Sequence, residues 1–344
     1  MKDETMSDDF RDLFSRGLDY KFFEGRTILI AGATSFIISY LVDAFIFYND
    51  NLAKRPTKLI CMARNREKAE NRFKNHLKRK DFELIIQDIT HPVSVEGEVD
   101  VIIHAASQAS PKYFGSDPVG TFNSNVIGTY NLLEFAKRKN AKDFLFISSG
   151  EVYGQIDKPS VSEKDYGYVD CTDLRACYSE GKRAGETMCV CYAHQFGINA
   201  KIARLFHTYG PNMPDDDGRV FVDFLMNIND CKDIVMKSDG SAVRTFTYVT
   251  DALDGFLRII LKGEPGQAYN VSNKSQTMSI LDLAQRLVSE FSERHIKIVR
   301  TVRKTDSNYI PTTIKGNAPD TSKIECLGFC PKITVEQGFR KLVR

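Results

Sequence analysis

The stretch TILIAGATSFIIS, residues 27–39, decides the fold class of this chain. Its first part, TILIAGA, is a short apolar run of the kind that forms a buried strand. Apolar residues continue after it, and we interpret the segment through Tyr40–Tyr48 as a helix. The stretch therefore predicts a buried strand that turns tightly into a helix.

The same alternation of strand and helix continues to residue 206. Further strands are predicted at KLICMAR (58–64), FELIIQDI (82–89), DVIIHAAS (100–107), DFLFISS (143–149) and AKIARLF (200–206). The longer segments between them predict helices that include Arg66–Lys80, Thr121–Lys139 and Tyr178–Phe196. Apolar strands separated by helices are typical of a parallel sheet covered on both faces. We therefore predict an α/β fold, a Rossmann-type doubly wound parallel sheet with a smaller C-terminal α/β substrate-binding domain.

Composition narrows the class of protein. The 344 residues are 42% hydrophobic and 27% charged, which is typical of a soluble globular protein. A formal charge of only +2 gives no support for a nucleic-acid partner. No apolar run approaches the roughly 20 residues that span a bilayer, so no membrane partner is predicted. The eight cysteines include no CxxC pair, so we predict no metal site and expect reduced thiols in a cytoplasmic protein.

The turn after the first strand is a candidate binding site for a dinucleotide. Such a turn brings backbone amides at a helix N-terminus close to a pyrophosphate. Gly32 keeps the first glycine of the usual pattern, whereas Ser35 and Ile38 stand in the places of the second and third. We expect a bulkier turn, with cofactor contacts from Gly32, Thr34, Ser35, Phe36 and Ile37.

The ends of the next strands bear on which dinucleotide binds. Arg64 follows the second strand, where an acidic residue would favour the ribose hydroxyls of NAD and an arginine suits the 2′-phosphate of NADP(H). A solvent-facing arginine is the alternative interpretation, so both NAD and NADP stay open. We expect Asp88, at the end of the third strand, to reach the adenine edge. Other residues assigned to the cofactor site are Ile89, His104, Ala105, Ala106 and Lys182.

A candidate catalytic pair follows the fifth strand. Tyr178 and Lys182 form a YxxxK motif on a predicted helix, and their spacing places both side chains on one face. An ammonium group near a tyrosine lowers the pKa of the phenol, which ordinarily lies near 10. The pair is therefore a candidate general base for a hydroxyl group, with Ser149 of the SSGEVYG segment hydrogen-bonded to the reacting oxygen.

Taken in order, these motifs resemble those of one family. They are HAASQASPKYF (104–114), NVIGTYNLLEFAKR (125–138), SSGEVYG (148–154), LRACYSEGKRAGETM (174–188), ARLFHTYGP (203–211), DGRVFVDF (217–224) and RTFTYVTDALDGF (244–256). The chain resembles the extended short-chain dehydrogenase/reductases of the NAD-dependent epimerase/dehydratase superfamily, which act on nucleotide sugars. It is most similar to the UDP-glucuronate decarboxylase branch, also called UDP-xylose synthases.

The resemblance implies a role for each matching residue. Tyr178 would remove the proton of the C4 hydroxyl as hydride leaves, and Lys182 would lower the pKa of that phenol and hold the nicotinamide ribose. Ser149 and Glu151 match the remaining catalytic positions. The implied substrate contacts are Tyr113, Arg175, His207, Arg219 and Arg244, of which the last two match arginines that grip the diphosphate or the sugar.

Domain boundaries also follow from the resemblance and the order of elements. Phe10, Leu13, Phe14 and Leu18 recur at helical spacing near the N-terminus. We predict a helical extension at 1–23, a dinucleotide-binding domain at 24–205 with a return segment at about 244–262, and a nucleotide-sugar-binding domain at 206–243 and 263–344.

Two positions depart from the family pattern. Gly150 replaces the serine of decarboxylases and the aspartate that 4,6-dehydratases use as an acid, so dehydratase activity is not expected. His207 replaces the usual asparagine, and a substrate contact and a structural histidine are both open interpretations.

The leading hypothesis is a UDP-glucuronate decarboxylase-like reaction at C4 of a nucleoside-diphosphate hexose. The alternatives are an NADPH-dependent 4-reductase of a nucleoside-diphosphate 4-keto-(6-deoxy)hexose, a 4-epimerase, and a non-catalytic regulator that binds a dinucleotide. The expected ligand is a UDP- or dTDP-sugar. A homodimer is implied by the resemblance, with the helices Thr121–Lys139 and Tyr178–Phe196 pairing across subunits.

Overall fold

A computed structural model describes residues 2–214, 217–301 and 318–344, with side chains from Glu4 onward. Residues 215–216 and 302–317 of the predicted nucleotide-sugar-binding domain lie outside the described residues. The strands are β1 (Thr27–Ala31), β2 (Lys58–Ala63), β3 (Phe82–Ile86), β4 (Val101–His104), β5 (Asp143–Ser149), β6 (Ser160–Val161), β7 (Ala200–Leu205), β8 (His207–Tyr209), β9 (Ile234–Met236), β10 (Val243–Tyr248), β11 (Ala268–Val271), β12 (Thr277–Ser279), β13 (Ile298–Arg300) and β14 (Ala318–Pro319). The helices are α1 (Lys2–Phe14), α2 (Phe36–Asn51), α3 (Arg66–Arg72), α4 (Lys112–Ser116), α5 (Pro118–Lys139), α6 (Ala176–Phe196), α7 (Val220–Asn229), α8 (Val249–Lys262), α9 (Ile280–Glu290), α10 (Ser322–Glu325) and α11 (Val335–Leu342).

Seven parallel strands form the central sheet in the order β11-β7-β5-β4-β1-β2-β3. Side chains alternate between the two faces of a strand. In β1, Ile28 and Ile30 accordingly pack into one apolar core, whereas Leu29 and Ala31 pack into a second core on the opposite face. The predicted doubly wound α/β fold is confirmed.

Local sequence signals set the ends of the two helices that flank the site. Asp117 accepts a hydrogen bond from the backbone N–H of Gly120 (3.1 Å) and Pro118 occupies the first turn, so α5 begins there. Asn140 ends α5 in the left-handed conformation (φ +50°), and Gly197 ends α6 in the same way (φ +68°).

Three predicted elements are wrong in extent. The third strand ends at Ile86 and the fourth at His104, so Asp88 and Ala105 already lie in loops at the edge of the sheet. The helix predicted to include Arg66–Lys80 ends at Arg72 with Phe73 as its C-cap, and farther on the Arg79 guanidinium binds Asp50 and Asp81. In addition, Ala268–Val271 adds the seventh strand to the sheet, although the predicted boundary assigned this segment to the other domain.

Among the described residues, three small sheets lie outside the central sheet, ordered β12-β10-β8, β13-β9 and β14-β6, and they consist of C-terminal strands apart from β6. Within the described residues, no helix has both the length and the apolar character needed to cross a bilayer.

The N-terminal helix is anchored to the body by buried charges. The Asp9 carboxylate accepts hydrogen bonds from the hydroxyls of Tyr40 (2.8 Å) and Tyr248 (2.7 Å). Just after the helix, Arg16 forms an ion pair with Asp251 of α8 at 2.7 Å, and both side chains are at most 2% exposed. The extension is therefore part of the folded unit.

Substituting Arg16 with methionine should destabilise the protein strongly. The change leaves the Asp251 carboxylate buried without its ion-pair partner, and such a loss lowers the free energy of unfolding by about 3–5 kcal/mol. Urea unfolding of the variant measures this. Arg11→Ala in α1 is the matched control, because its ion pair with Asp8 is exposed and contributes at most about 1 kcal/mol. Equal effects of the two substitutions would contradict the anchoring role.

Candidate active site

A cleft of about 610 Å³ opens at the carboxyl ends of the central strands. In a parallel sheet these ends meet at one edge, which is where open α/β sheets bind ligands. Residues from the turn after β1, the loop after β4, the end of β5 and the segment after β7 all line this cleft, as do residues of the C-terminal part.

The turn after β1 requires glycine at its first position. Gly32 has φ +81°, and a β-carbon there would lie only 2.6 Å from the backbone N and Cα of Ala106. The N–H groups of Gly32 and Ala33 both donate to the carbonyl of Met62, at 3.0 and 3.2 Å, so the turn folds back against β2.

The N-terminus of α2 fits an anionic group. The helix has 16 residues, its first turn contains no acidic residue, and the Ser35 side chain makes no capping hydrogen bond. Ser35, Phe36 and Ile37 line the cleft, whereas Thr34 is half-buried beside them. Farther along the wall, the Ser107 hydroxyl is buried without a hydrogen-bond partner among the described residues. These features suit the pyrophosphate and hydroxyl groups of a dinucleotide.

Ile38 is buried in the apolar core at 2% exposure, although the pattern has its third glycine at this position. The first turn of α2 therefore packs against the core through an isoleucine side chain, where the pattern has a glycine.

The residues expected at the adenosine end lie together but outside the cleft wall. Arg64 is exposed, and its guanidinium lies 3.9 Å from the Asp88 carboxylate. Burial alone would raise the pKa of Asp88, but hydrogen bonds from Thr90 and the Arg64 charge lower it, so the carboxylate is charged. Because Arg64 faces an anion, the structure leaves the choice between NAD and NADP open.

Two assigned cofactor contacts are buried instead. His104 is fully buried in β4, where its Nε2 lies 3.0 Å from the Thr129 hydroxyl and burial lowers its pKa well below the usual value. Ile89 packs against Gly128 of α5 at 6% exposure. Both side chains face α5, so a cofactor contact by these two residues stays a prediction. Ala105 lines the cleft, and Ala106 lies against the Gly32 turn.

Helix α6 brings Tyr178 and Lys182 together on one face. The Tyr178 ring stacks on Phe114 (centroids 5.1 Å apart), and the Ser149 side chain lies near enough to its hydroxyl to favour the phenolate. The Lys182 ammonium donates to the carbonyl of Ile147 at 2.7 Å and lies 5.8 Å from the centroid of the Tyr178 ring. The predicted group of Tyr178, Lys182 and Ser149 is therefore assembled in the cleft.

Burial dominates the titration of this pair. It raises the pKa of Tyr178 to about 12, against the opposing hydrogen bond from Ser149. Burial also lowers the pKa of Lys182 to about 7, against the opposing charge of Glu186. The expectation that Lys182 lowers the pKa of Tyr178 is not met by the protein's own groups, because burial outweighs the effects that lower it.

Glu151 and Arg175 form an ion pair beside Tyr178. The Arg175 guanidinium lies 3.1 and 3.3 Å from the two Glu151 oxygens and also packs over the Phe114 ring. At Gly150 a β-carbon would lie 2.8 Å from the ring of Phe206, so this ring occupies the space of the missing serine side chain. The sequence reasoning missed Phe114 and Phe206, since nothing in the local pattern separates a cleft aromatic residue from a core one.

One histidine and two arginines, His207, Arg219 and Arg244, line the other half of the cleft. His207 lies between the rings of Phe221 and Phe246, and burial together with Arg244 and Arg219 lowers its pKa to about 3, so the ring is neutral. Arg219 is paired with Asp217. Arg244 donates to the carbonyl of Val243 at 2.7 Å.

Tyr113 is placed differently from the other predicted substrate contacts. It is 38% exposed, and its neighbour Phe114 lines the cleft in its place. A role for Tyr113 in substrate binding stays a prediction.

A family model described as the NAD dependent epimerase/dehydratase family matches residues 28–272, which include the strands, the turn and the Tyr178–Lys182 helix described above. The chain belongs to this family. Its members with similar sequences include UDP-glucuronic acid decarboxylase 6 of Arabidopsis thaliana, which is 35% identical over 92% of this chain and 88% of its own length. UDP-glucuronic acid decarboxylase 1 of Danio rerio is 32% identical over 93% of this chain and 72% of its own length.

Solved structures of the family share the fold. The dTDP-glucose 4,6-dehydratase of Bacillus anthracis superposes with a TM-score of 0.75 at 20% identity, covering 92% of this chain and 95% of its own. The UDP-glucuronic acid 4-epimerase of Bacillus cereus superposes with a TM-score of 0.74 at 24% identity, covering 92% and 97%.

Substituting Lys182 with methionine should stabilise the protein in a pH-dependent way. The amine has a pKa of about 7 in the folded protein and near 10.5 when unfolded, so the unfolded state binds the extra proton between these values. The stability of the parent protein therefore rises through this window, by about 1.4 kcal/mol per pH unit from this group. The advantage of Lys182→Met should be largest at pH 7 and below and should shrink toward pH 9.

Chemical unfolding at several pH values measures this difference. Lys201→Met is not a suitable comparison, because Lys201 is paired with Asp143, so the exposed Lys80→Met serves as the control. A stability difference that does not change with pH would contradict the lowered pKa of Lys182.

Proposed function

We propose that this protein is a UDP-glucuronate decarboxylase that oxidises the sugar at C4, releases CO₂ and reduces the resulting ketone, with NAD as its cofactor. The observation that carries the proposal is the assembly of Tyr178, Ser149, Lys182 and the Glu151–Arg175 pair in one cleft. Its similarity to UDP-glucuronic acid decarboxylases over most of its length supports the same reaction.

The residues of the cleft fit NAD. The uncapped N-terminus of α2 would hold the pyrophosphate, the unpartnered Ser107 hydroxyl lies on the same wall, and Lys182 would hold the nicotinamide ribose. When bound, NAD takes up hydride, returns it, and carries a positive ring charge in its oxidised form. Such a charge beside Tyr178 would favour the phenolate, which the protein's own groups disfavour.

The chemistry at the sugar then follows from the positions of these side chains. Tyr178 takes the proton of the C4 hydroxyl while Ser149 orients the same oxygen, and the sugar becomes a 4-ketone as its C4 hydride leaves. The carboxylate is now β to the ketone, so the C5–C6 bond breaks, CO₂ departs and its electron pair forms an enolate. A proton from solvent adds at C5, hydride returns to C4, and Tyr178 returns to the C4 oxygen the proton that it took in the first step.

The arginine side chains in the cleft favour an acidic nucleotide sugar as the substrate. Arg175, Arg219 and Arg244 all line the cleft, and planar guanidinium groups bind carboxylate and phosphate oxygens in pairs. We assign Arg219 and Arg244 to the diphosphate or the sugar, and Arg175 with Glu151 to the sugar end near Tyr178. His207, neutral between aromatic rings, contributes a hydrogen bond without adding charge.

A second function is favoured by two observations. Arg64 stands at the end of β2, where it suits the extra phosphate of NADPH, and the Phe206 ring fills the place of a hydroxyl-bearing residue at position 150. An NADPH-dependent reductase of a nucleoside-diphosphate 4-keto sugar needs only proton delivery by Tyr178 and no chemistry at C5.

Incubation with UDP-glucuronate separates the two functions. We expect a UDP-pentose and CO₂ without net consumption of cofactor, and NAD among the nucleotides released when the purified protein is denatured, both measured by mass spectrometry. Tyr178→Phe should lower kcat by a factor of about 10²–10⁴, because it removes the proton acceptor but keeps the ring stacked on Phe114. Tyr192→Phe on the same helix, whose hydroxyl binds Glu134, should leave kcat unchanged.

The opposite result would favour the reductase. Unchanged UDP-glucuronate together with NADPH oxidation by a nucleoside-diphosphate 4-keto sugar would exclude the decarboxylase. If Tyr178→Phe retained full activity, the assignment of the proton acceptor would be wrong.

We further propose that the protein is a homodimer in which α5 and α6 pair across subunits. Helix α5 carries exposed apolar side chains on one side, namely Val119, Phe122, Ile127 and Tyr130, and α6 exposes Val190 and Phe196. A row of this kind is typical of a covered surface in a symmetric oligomer.

Phe122→Glu should convert the dimer to a monomer, because it places a charge in the centre of that row. Sedimentation velocity measures the change in mass. Leu77→Glu is the control, since Leu77 is equally exposed (42%, against 39% for Phe122) but lies outside both helices. A parent protein that sediments as a monomer at micromolar concentration would contradict the proposal.

A further inference from the structure

A buried ion pair continues the row of Tyr178 and Lys182 along α6. Glu186 lies one helical turn beyond Lys182 and is 7% exposed, and its partner Arg204 on β7 is 1% exposed. The guanidinium binds both carboxylate oxygens, with Nε 3.0 Å from Oε1 and Nη2 2.7 Å from Oε2. The Ser148 hydroxyl, next to Ser149, donates to the same carboxylate at 2.5 Å.

Further hydrogen bonds connect the Glu186–Arg204 pair to the surrounding structure. Arg204 Nη1 donates to the Tyr153 hydroxyl (3.1 Å) and to the carbonyl of Glu163 (3.1 Å). The Tyr153 hydroxyl in turn donates to Asn270 of β11 at 2.5 Å. The Glu186 carboxylate is therefore fixed by contacts that reach β5, β11 and the loop after β6.

The other titratable groups near Lys182 on α6 and β4 are neutral, so Glu186 is the negative charge that acts on the Lys182 amine. Tyr178 and Cys189 are its other titratable neighbours on α6, and burial raises the pKa of both, so they are uncharged at neutral pH. From β4, His104 is neutral for the same reason, with its pKa lowered by burial and by Lys182. From β5 come the carbonyl of Ile147 and the ring of Phe146, and from β7 comes Arg204, behind Glu186.

We propose that Glu186, locked in place by Arg204 and Ser148, is a positioning residue that keeps the Lys182 ammonium charged inside the cleft. The inference rests on the proposed function through the role of Lys182. The opposing effects at Lys182 agree with it, since burial lowers the pKa of the amine to about 7 and the Glu186 charge is the main influence that raises it. Without that carboxylate the amine would be neutral at pH 7, and the guanidinium of Arg204 would repel its proton further.

The test measures the charge of Lys182 through stability, without cofactor or substrate. Chemical unfolding between pH 5.5 and 9 is compared for the parent protein and Lys182→Met, and then for Glu186→Gln and the double variant Glu186→Gln/Lys182→Met. In each pair, the pH above which the stability gap begins to shrink reports the pKa of Lys182. We expect about 7 in the first pair and a value at least one pH unit lower in the second. The charged fraction at pH 7 would then fall roughly fivefold or more.

A second buried ion pair gives the matched control. Asp143 lies on β5 and Lys201 on β7, near the amino ends of these strands and away from the cleft. Their side chains are 7% and 3% exposed. Asp143→Asn also leaves a buried cation without its partner but should leave the pKa of Lys182 unchanged. If Glu186→Gln is too unstable to measure, Glu186→Gln/Arg204→Gln removes both charges and should still lower the pKa of Lys182, because Glu186 is the main charge that raises it.

The outcomes separate this inference from the proposed function. A pKa of Lys182 that stays near 7 without Glu186 would overturn the inference, whatever the protein does with UDP-glucuronate. A lowered pKa together with no decarboxylation would support the charge role and reject the decarboxylase. Where turnover is present, Glu186→Gln should also move the alkaline limb of kcat/KM to lower pH, and Asp143→Asn should not.

Discussion

The rest of the structure depends on a parallel sheet that buries both of its faces. Seven strands run in one direction, and helices cover the two cores on either side. Because every crossover returns to the same edge, the turn at Gly32, the loop after β4 and the catalytic segment after β5 meet there. The cleft is the unavoidable result of that arrangement, and Gly32 is needed because the first turn presses directly against Ala106.

Burial in this cleft disfavours the charged forms of both catalytic side chains. Tyr178 and Lys182 both favour their neutral forms, with pKa values of about 12 and about 7. A reaction that needs the phenolate and the ammonium together must draw on further charges, which the Glu186–Arg204 pair and a bound cationic ring would provide. The site therefore lowers the stability of the fold, as catalytic sites commonly do.

The departures from the family pattern are accommodated by packing. Phe206 occupies the space that a side chain at position 150 would need, and Ile38 fills the core where the pattern has a glycine. Both the stacking of Tyr178 on Phe114 and the Glu151–Arg175 pair are present alongside these changes.

The sequence by itself determined the order of strands and helices, the glycine turn, the YxxxK pair and the family, because these depend on local periodicity and on spacing along the chain. It misplaced the ends of β3, β4 and α3, because the residue pattern that predicts each element continues past the residue at which the element ends. Only the tertiary structure decided that His104 faces α5, that Phe114 rather than Tyr113 lines the cleft, and that Arg204 binds Glu186 behind Lys182. Burial and the pairing of charges join residues far apart in the chain, so the pKa values of the site follow from the packed fold and not from any motif.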